Sequence, residues 1–417
     1  MAAELNWAGN YSYRAHRILR PQSVEQLQEI VAAGGSLRAL GSRHSFNAIA
    51  DTSGELIATA GLPDDIVIDE EAHTVTVGGG TKYGDLGVVL AEHGLALHNL
   101  ASLPHISVAG AIATATHGSG DRNGNLSTAV EALEFVDGTG ELRRIARGDQ
   151  GFEGAAVSLG ALGVVTRVTL RVEPSFEVRQ NVFVDLPWER VMTDYDAITS
   201  SAYSVSLFTT WAGEAVQQLW LKERVDAAAG APGAEAFGGR AATAQLHMIS
   251  SMSPDNTTDQ LGVAGPWNER LAHFKYGFTP SAGEEIQSEY LLPREHAVAA
   301  FAAVRGLAGR IAPLLQISEI RTVAADELWL SSSYQQETVG LHFTWRRMQD
   351  EVEAFLPTLE GALAPFGARP HWGKVFHGAP GLIESLYPRL GDFRELAAHY
   401  DPRGVFRNEF LERHVFS

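Results

Sequence analysis

Ser107-Val-Ala-Gly-Ala-Ile-Ala-Thr-Ala-Thr-His-Gly-Ser-Gly120 contains nothing bulkier than valine except Ile112 and His117. A run this small lets another surface approach the backbone closely, which is the composition of a ligand cradle. Working outward, a second run of this kind lies upstream. Gly41-Ser42-Arg43-His44-Ser45 follows directly on a stretch, Leu37–Leu40, that reads as a short strand. Successive backbone N–H groups and small side chains there can cup a pyrophosphate. A glycine turn accounts for that pentapeptide equally well when it is taken alone.

The common nucleotide motifs fail. Gly118-Ser119-Gly120-Asp121-Arg122-Asn123 opens like a dinucleotide fingerprint but has Asn where the third glycine belongs, and the chain has no Gly-Lys-Ser/Thr phosphate loop. A cradle in two parts fits FAD better.

The surrounding chain alternates helix and strand signals. Ser23 caps a helix with Leu27, Ile30 and Val31 as its apolar stripe and Gly34 as its stop. Ile66–Ile68 and Thr74–Val77 read as a hairpin ending in Gly78-Gly79-Gly80, and a second helix is expected near 83–93. Strands at 130–136 and 141–145 and the run Leu159-Gly-Ala-Leu-Gly-Val-Val-Thr166 complete an α+β unit that closes near Val172-Glu173-Pro174. Residues 175–372 alternate aromatic and β-branched stretches, with an Ala/Gly/Pro-rich segment at 227–242 and helices near 294–311 and 347–364. The expected division is 1–174 for cofactor binding, 175–372 for the substrate, and a segment 373–417 that returns to the first domain. In that segment a helix stops at Asp401-Pro402 and a short extended tail follows. The chain has no internal repeat.

The composition narrows the chemistry. The 417 residues exceed one ordinary core. Thirty-two Lys and Arg against 50 Asp and Glu give a net charge of −18, which repels phosphate backbones and anionic membranes, so neither is expected as a partner. With no cysteine, thiol nucleophiles, zinc-thiolate sites and iron–sulfur clusters are excluded, and redox chemistry must come from a cofactor. Met1–Asn10 lacks a basic and apolar leader, and no stretch approaches ~20 apolar residues, so a cytoplasmic protein is expected. The glycosylation match at Asn256-Thr257-Thr258 is one of form only. The histidines at 93, 98, 105 and 117 fit no metal-ligand spacing, and no metal is expected. His105 and His117 read as parts of the cradle, and His98 has no assigned role.

In Ile317-Ser-Glu-Ile-Arg-Thr-Val323, strand periodicity puts Glu319 and Arg321 on one face, with Ser318, Ile320 and Thr322 on the other. His342 and Thr344 likewise share a face opposite Leu341, Phe343 and Trp345. A row of such polar groups suits a ligand with several hydroxyls. Alone, Glu319 and Arg321 read more simply as an exposed ion pair, His342 as a satisfied histidine and Lys374 as a solvated lysine. The aromatic residues at 208, 211, 220, 343 and 345 read as core.

Ala-Leu-Gly-Ser-Arg-His-Ser-Phe-Asn (39–47), Leu-Pro-His-Ile-Ser-Val-Ala-Gly-Ala-Ile-Ala-Thr-Ala-Thr-His-Gly-Ser-Gly (103–120) and the 159–166 run together resemble the vanillyl-alcohol-oxidase type of flavoprotein. Within it, Ser-Glu-Tyr-Leu-Leu-Pro-Arg-Glu, Ser-Glu-Ile-Arg-Thr-Val-Ala-Ala-Asp, His-Phe-Thr-Trp and Arg-Pro-His-Trp-Gly-Lys-Val-Phe are similar to the alditol oxidase and aldonolactone oxidase branch. The likeness spans nearly the whole chain. It implies a two-domain α+β FAD-binding fold of the vanillyl-alcohol-oxidase/p-cresol methylhydroxylase type, with a cap domain built on an antiparallel sheet.

The resemblance also implies FAD bonded covalently through the His44 imidazole to the flavin 8α-methyl carbon. The cofactor would be held by Gly41, Ser42, Arg43, His44, Ser45, Ser102, Ser107, Gly110, Ala113, Thr114, His117, Gly118, Gly154, Gly163, Val165 and His371. Arg43 departs from the glycine common in that branch. The implied reaction oxidises the terminal primary hydroxyl of a small polyol such as xylitol or sorbitol to the aldehyde, by hydride transfer to flavin N5. Oxygen would be the acceptor and hydrogen peroxide the product. Arg321 and Lys374 are the implied catalytic residues, with Ser102, Gln287, Glu319, His342 and Thr344 completing the substrate contacts. Arg321 would stabilise alkoxide charge; Lys374 would do the same or accept the proton. A monomer is expected. An aldonolactone oxidoreductase on the same scaffold, a flavin- or carbohydrate-binding protein without turnover, and FAD held without a covalent bond stand as alternatives.

Overall fold

The computed structural model describes residues 4–226, 237–278 and 285–417, so residues 227–236 of the Ala/Gly/Pro-rich stretch lie outside the described residues. Strands β1 (Arg17–Leu19), β2 (Leu37–Leu40) and β3 (Glu55–Ala58) form a parallel sheet ordered β1-β3-β2. Helix α1 (Val24–Ala33) lies between the first two. Ser23 Oγ accepts from the Gln26 N–H at 3.3 Å, and Gly34, at φ 81°, ends the helix, as the sequence predicts. Leu27 and Val31 are fully buried in a small core with Val136, Val164 and Phe406.

Strands β4 (Val67–Asp69) and β5 (Thr74–Gly78) form the expected hairpin, and helix α2 (Tyr83–Glu92) and the short strand β6 (Leu95–Ala96) follow. The 107–120 run opens with helix α3 (Val108–Ala113). Strands β7 (Val130–Asp137), β8 (Leu142–Ala146) and β9 (Gly163–Arg171) join the hairpin in an antiparallel sheet ordered β4-β5-β9-β7-β8. Helix α4 (Phe152–Ala155) and the loop 156–162 lie between β8 and β9, so only the last part of the 159–166 run is strand. Strand β10 (Glu173–Pro174) pairs with β6.

The second sheet has nine strands: β11 (Glu177–Pro187), β12 (Ser204–Thr209), β13 (Ala215–Arg224), β14 (Arg240–Ala241), β15 (Gly265–Pro266), β16 (Glu285–Pro293), β17 (Leu315–Val323), β18 (Thr338–Arg346) and β19 (Arg369–Pro370). They run in the order β14-β11-β13-β12-β17-β18-β16-β19, with β15 on β11. Helices α5 (Trp188–Thr199), α6 (Ala297–Gly306), α7 (Ala308–Ile311) and α8 (Gln349–Leu363) contribute to the core on one face of it. Ile320, Leu341, Phe343 and Trp345 point to that face and are buried against Phe301, Val304, Phe355 and Leu359, each worth about 1.5–3 kcal/mol on burial. Their strand neighbours therefore point the other way, and they too are buried.

Beyond β19, helices α9 (Leu382–Leu386), α10 (Leu390–Tyr400) and α11 (Glu409–Leu411) pack into the core of the five-stranded sheet through Ile383, Phe393 and Leu411. Trp267, Leu271, Leu328 and Leu330 join that same core from the middle of the chain. The tail after Asp401-Pro402 is helical, contrary to the extended segment expected. Asn408 accepts from the Leu411 N–H at 2.9 Å and starts α11, a π-helical turn over 412–416 follows, and Leu411 and Val415 are buried. A buried guanidinium ties this tail to the first sheet. Arg38 donates to the carbonyls of Ile49, Leu159, Gly160 and Phe406 at 2.6–2.9 Å. Among the described residues, no helix is long and apolar enough to cross a membrane.

Candidate active site

The two small-residue runs meet in space. The Ser107 N–H donates to Ser42 Oγ at 3.0 Å and the Ser42 N–H to Ser107 Oγ at 3.4 Å, which laces the exit of β2 to the start of α3. Gly41 is required there, because a Cβ would stand 2.6 Å from Ser107 Oγ. From this junction a cleft of about 330 Å³ runs past Arg43, His44, Ser45, Gly110, Ala113, Thr114, Gly163 and Val165. Ser102, His105, His117 and His371 continue its wall to the open face of the nine-stranded sheet.

Two residues of the implied cofactor set lie outside this cleft. A Cβ at Gly118 would stand 2.4 Å from the Leu100 carbonyl and as close to the Asn99 amide, and at Gly154 it would stand 2.4 Å from the Trp329 ring. Both glycines are small to let the protein pack on itself. His98 is also structural, with Nε2 3.3 Å from the Gly124 carbonyl.

His44 is half-buried with both ring nitrogens covered, and neither makes a well-formed hydrogen bond, the Ser42 backbone being the polar group that bears on them. Burial pushes its pKa down to about 4, so the imidazole is neutral near pH 7. Its neighbour Arg43 adopts φ 64°, a strained backbone for a long side chain, costing about 1 kcal/mol or more. The Arg43 guanidinium turns back to pair with Glu4. A neutral imidazole without a well-formed hydrogen bond, in the wall of a cleft floored by small residues, fits FAD held through His44.

Substrate-facing chemistry sits on β16, β17 and β18. Their register places Glu289, His342 and Glu319 directly opposite one another across three strands, with Gln287 and Thr344 in the adjacent row. Gly340 lies opposite Arg321, and a Cβ there would crowd Glu289 at 3.3 Å and His117 at 3.7 Å. That gap lets Arg321 reach across the sheet: its Nη2 donates to Glu289 Oε1 at 2.9 Å and its Nη1 to Ser102 Oγ at 3.3 Å. Lys374 Nζ donates to the other Glu289 oxygen at 2.6 Å, and His117 Nε2 lies 3.3 Å away from the carboxylate. Glu319 is held by His273 Nε2 at 2.8 Å and faces Arg321 Nε at 3.6 Å.

The exposed-pair reading of Glu319 and Arg321 is therefore overturned, since both are about 95% buried. Lys374 and His342 are buried as well. Buried charges need partners, and here each has at least one.

Electrostatics follow from that pairing. Burial alone would raise the Glu289 carboxyl, but Lys374, Arg321 and His117 together hold it well below the carboxylate range. Burial likewise works against the Glu319 carboxylate, and Arg321 and His273 more than offset it. Burial lowers Lys374, with Glu289 opposing. His342 and His371 are driven well below the usual histidine range, by burial first and by the Lys374 charge next, and both are neutral. His342 Nε2 is buried with no partner.

Glu289 and His273 were missed in the sequence. Glu289 carried a readable signal, because Glu285, Gln287 and Glu289 alternate on one face of a single strand. His273 carried none. Its position depends on Lys222, a buried lysine whose ammonium donates to the Arg270, Leu271 and Ala272 carbonyls at 2.6–2.7 Å. His273 N–H then donates to the Ser102 carbonyl at 3.0 Å.

His117, Glu289 and His371 bring one ligand atom each within 4.8 Å of one another, a geometry that can hold a cation. Arg321 and Lys374 already occupy both oxygens of Glu289, so the group reads as an ion-pair network.

Comparison with known proteins agrees with this geometry. Residues 15–146 match the family described as FAD binding domain, and residues 281–414 the family described as D-arabinono-1,4-lactone oxidase. The chain is 48% identical over 412 residues to an alditol oxidase of Streptomyces sp. (strain IKD472 / FERM P-14339), covering 98% of each. It is 30% identical to an L-gulono-1,4-lactone dehydrogenase of Mycobacterium tuberculosis, again over 98% of each. The fold matches a cholesterol oxidase from B. sterolicum with a TM-score of 0.79 at 15% identity, covering 99% of this chain and 96% of the other. One family match covers the cradle, and the other covers strands β16 to β19 of the nine-stranded sheet together with the loop that carries Lys374. The chain belongs to the aldonolactone oxidase family of FAD-dependent flavoproteins of the vanillyl-alcohol-oxidase type.

Proposed function

We propose that the protein is an alditol oxidase. It would oxidise the terminal primary hydroxyl of a small polyol such as xylitol or sorbitol to the aldehyde, and pass the electrons to oxygen to form hydrogen peroxide. The observation that carries this reading is the buried row Glu289–His342–Glu319 flanked by Arg321 and Lys374, an array of hydrogen-bonding groups matched to several adjacent hydroxyls. Identity of 48% to an alditol oxidase supports it. FAD, attached through His44, supplies the hydride acceptor for the substrate carbon.

The chain's own groups bind, orient and move the proton. Arg321 stays protonated and stabilises negative charge developing on the reacting oxygen. Lys374, 2.6 Å from the Glu289 carboxylate, serves as a second cation. His342, neutral and unpartnered at Nε2, accepts the hydroxyl proton. Glu319, fixed by His273, accepts a hydrogen bond from a neighbouring hydroxyl, and Gln287, Thr344 and Ser102 add further contacts. An alkyl alcohol leaves these groups unpaired, which penalises it more than shape alone would. The reading extends to a cytoplasmic monomer.

Anaerobic mixing with xylitol should bleach the flavin within the turnover time, and admission of air should restore the colour with stoichiometric peroxide. Faster bleaching by a sugar 1,4-lactone than by any alditol would replace this reading with the lactone activity of the M. tuberculosis relative. Flavin released into the supernatant on acid precipitation would refute the His44 bond.

A further inference from the structure

The segment 4–11 is strapped across the loop that carries His44. Trp7 N–H donates to the Arg43 carbonyl at 2.8 Å, the Asn6 amide to the Ser45 carbonyl at 2.9 Å, and the Asn10 amide to the Phe46 carbonyl at 3.0 Å. Glu4 adds its ion pair to Arg43. The carbonyls on both sides of His44 are thus held from one short segment, and the Trp7 indole stacks on the His44 ring with centroids 5.1 Å apart and planes 22° apart.

Neither ring nitrogen makes a well-formed hydrogen bond, and the Ser42 backbone bears on the ring without fixing it. A terminal torsion onto a flat ring is broad when nothing restrains it. Stacking is the restraint present, and it leaves both nitrogens free in the ring plane. We infer that Trp7 is a positioning residue for cofactor attachment: its indole face holds the His44 imidazole in the orientation from which a ring nitrogen bonds the 8α carbon of FAD. The inference rests on the reading that His44 carries the flavin.

Attachment replaces one C–H bond of the 8α-methyl group by a C–N bond. The methyl carbon gives up a proton to solvent, and the electron pair of that C–H bond passes into the flavin ring system. The lone pair of the imidazole nitrogen makes the new bond, and the other ring nitrogen releases its proton. The flavin is left reduced by two electrons, and oxygen takes these with two protons as hydrogen peroxide. The burial that keeps His44 neutral supports this role, since the attacking nitrogen must be unprotonated.

Apoprotein from riboflavin-starved cells, incubated with FAD in air, tests the inference through the rate at which acid-stable, protein-bound flavin appears. Trp7→Leu, which keeps apolar volume and loses the ring face, should slow attachment by about tenfold, and Trp7→Phe should restore most of the rate. In a His44→Ala background, where no bond can form, Trp7→Leu should leave FAD affinity unchanged by fluorescence titration. Attachment in Trp7→Leu as fast as in the wild type, or a parallel loss of FAD affinity in the His44→Ala background, overturns the inference. Where Trp7→Leu does not fold, Trp7→Met decides: slowed attachment with unchanged FAD affinity supports the inference, and an unchanged rate overturns it. Wild-type protein that never acquires acid-stable flavin would instead refute the His44 linkage, a separate outcome.

Discussion

The cradle and the sheet face build two halves of one cleft by opposite means. Gly41, Ser42, Ser107 and Gly110 contribute almost no side chain, and what they present is backbone and space. Glu289, Arg321, Lys374 and Glu319, with His342 among them, contribute little else but side-chain charge and polarity, the four charges held by one another. A surface made of main chain suits a ligand that is always the same, because its shape is set by the fold. A surface made of paired charges suits a ligand that must be sorted, because each unmet partner carries a penalty. Damage to the first half should therefore read out as flavin content, and damage to the second as rate and selectivity.

Arg321→Met is the harshest test of that division. It removes the cation nearest the reacting oxygen and leaves Glu289 and Glu319 short of a partner, so kcat/KM for xylitol should fall by about 10³-fold or more, with acid-stable flavin at wild-type occupancy. A matching loss of flavin would erase the distinction. Glu289→Gln should lower kcat by about 10²-fold and alter its pH profile. The Glu289 anion favours the Lys374 ammonium, so its loss lowers the Lys374 pKa, and the alkaline limb of activity should move to lower pH. A limb that stays in place would take Lys374 out of the reaction.

Glu319→Gln sharpens the contrast, because Arg321 keeps its Glu289 partner and the main loss is at the hydroxyl contact. The preference for xylitol over a simple primary alcohol should shrink by about 10- to 100-fold, measured as a ratio of kcat/KM values. Gly41→Ala carries the smallest effect and lies on the other half. The added Cβ meets Ser107 Oγ, so flavin occupancy and about 1 kcal/mol of stability should be lost, while KM for polyol in the loaded fraction stays put. A raised KM there would show that the halves are coupled.

The same contrast decides how much could be read from the chain. The cradle announced itself because smallness is a local property: the 107–120 run and the 41–45 loop are visible residue by residue. The helix at Val24–Ala33 was equally legible, since Ser23 and Gly34 state its ends. On the sheet, period-two alternation put Glu319, Arg321, His342 and Thr344 on one face. What alternation cannot supply is strand order. Glu289, His342 and Glu319 come from three strands that meet only through register, and Lys374 arrives from a loop that runs beside β16. Gly118 and Gly154 show that a small residue can also be demanded by the protein's own packing, since a Cβ at either would meet neighbouring residues. The tail after Pro402 was misread because the cap at Asn408 acts on a helix of three residues, too short for periodicity to register.

Arg38 carries an implication for the order of events during synthesis. Its guanidinium sits between the strand that delivers His44, the loop before β9 and the Phe406 carbonyl, with Asp401 near enough to favour its charge. Until residue 406 has left the ribosome, that buried cation at the cleft wall lacks one of its four carbonyls. A nascent chain stalled before that point should therefore emerge without bound flavin.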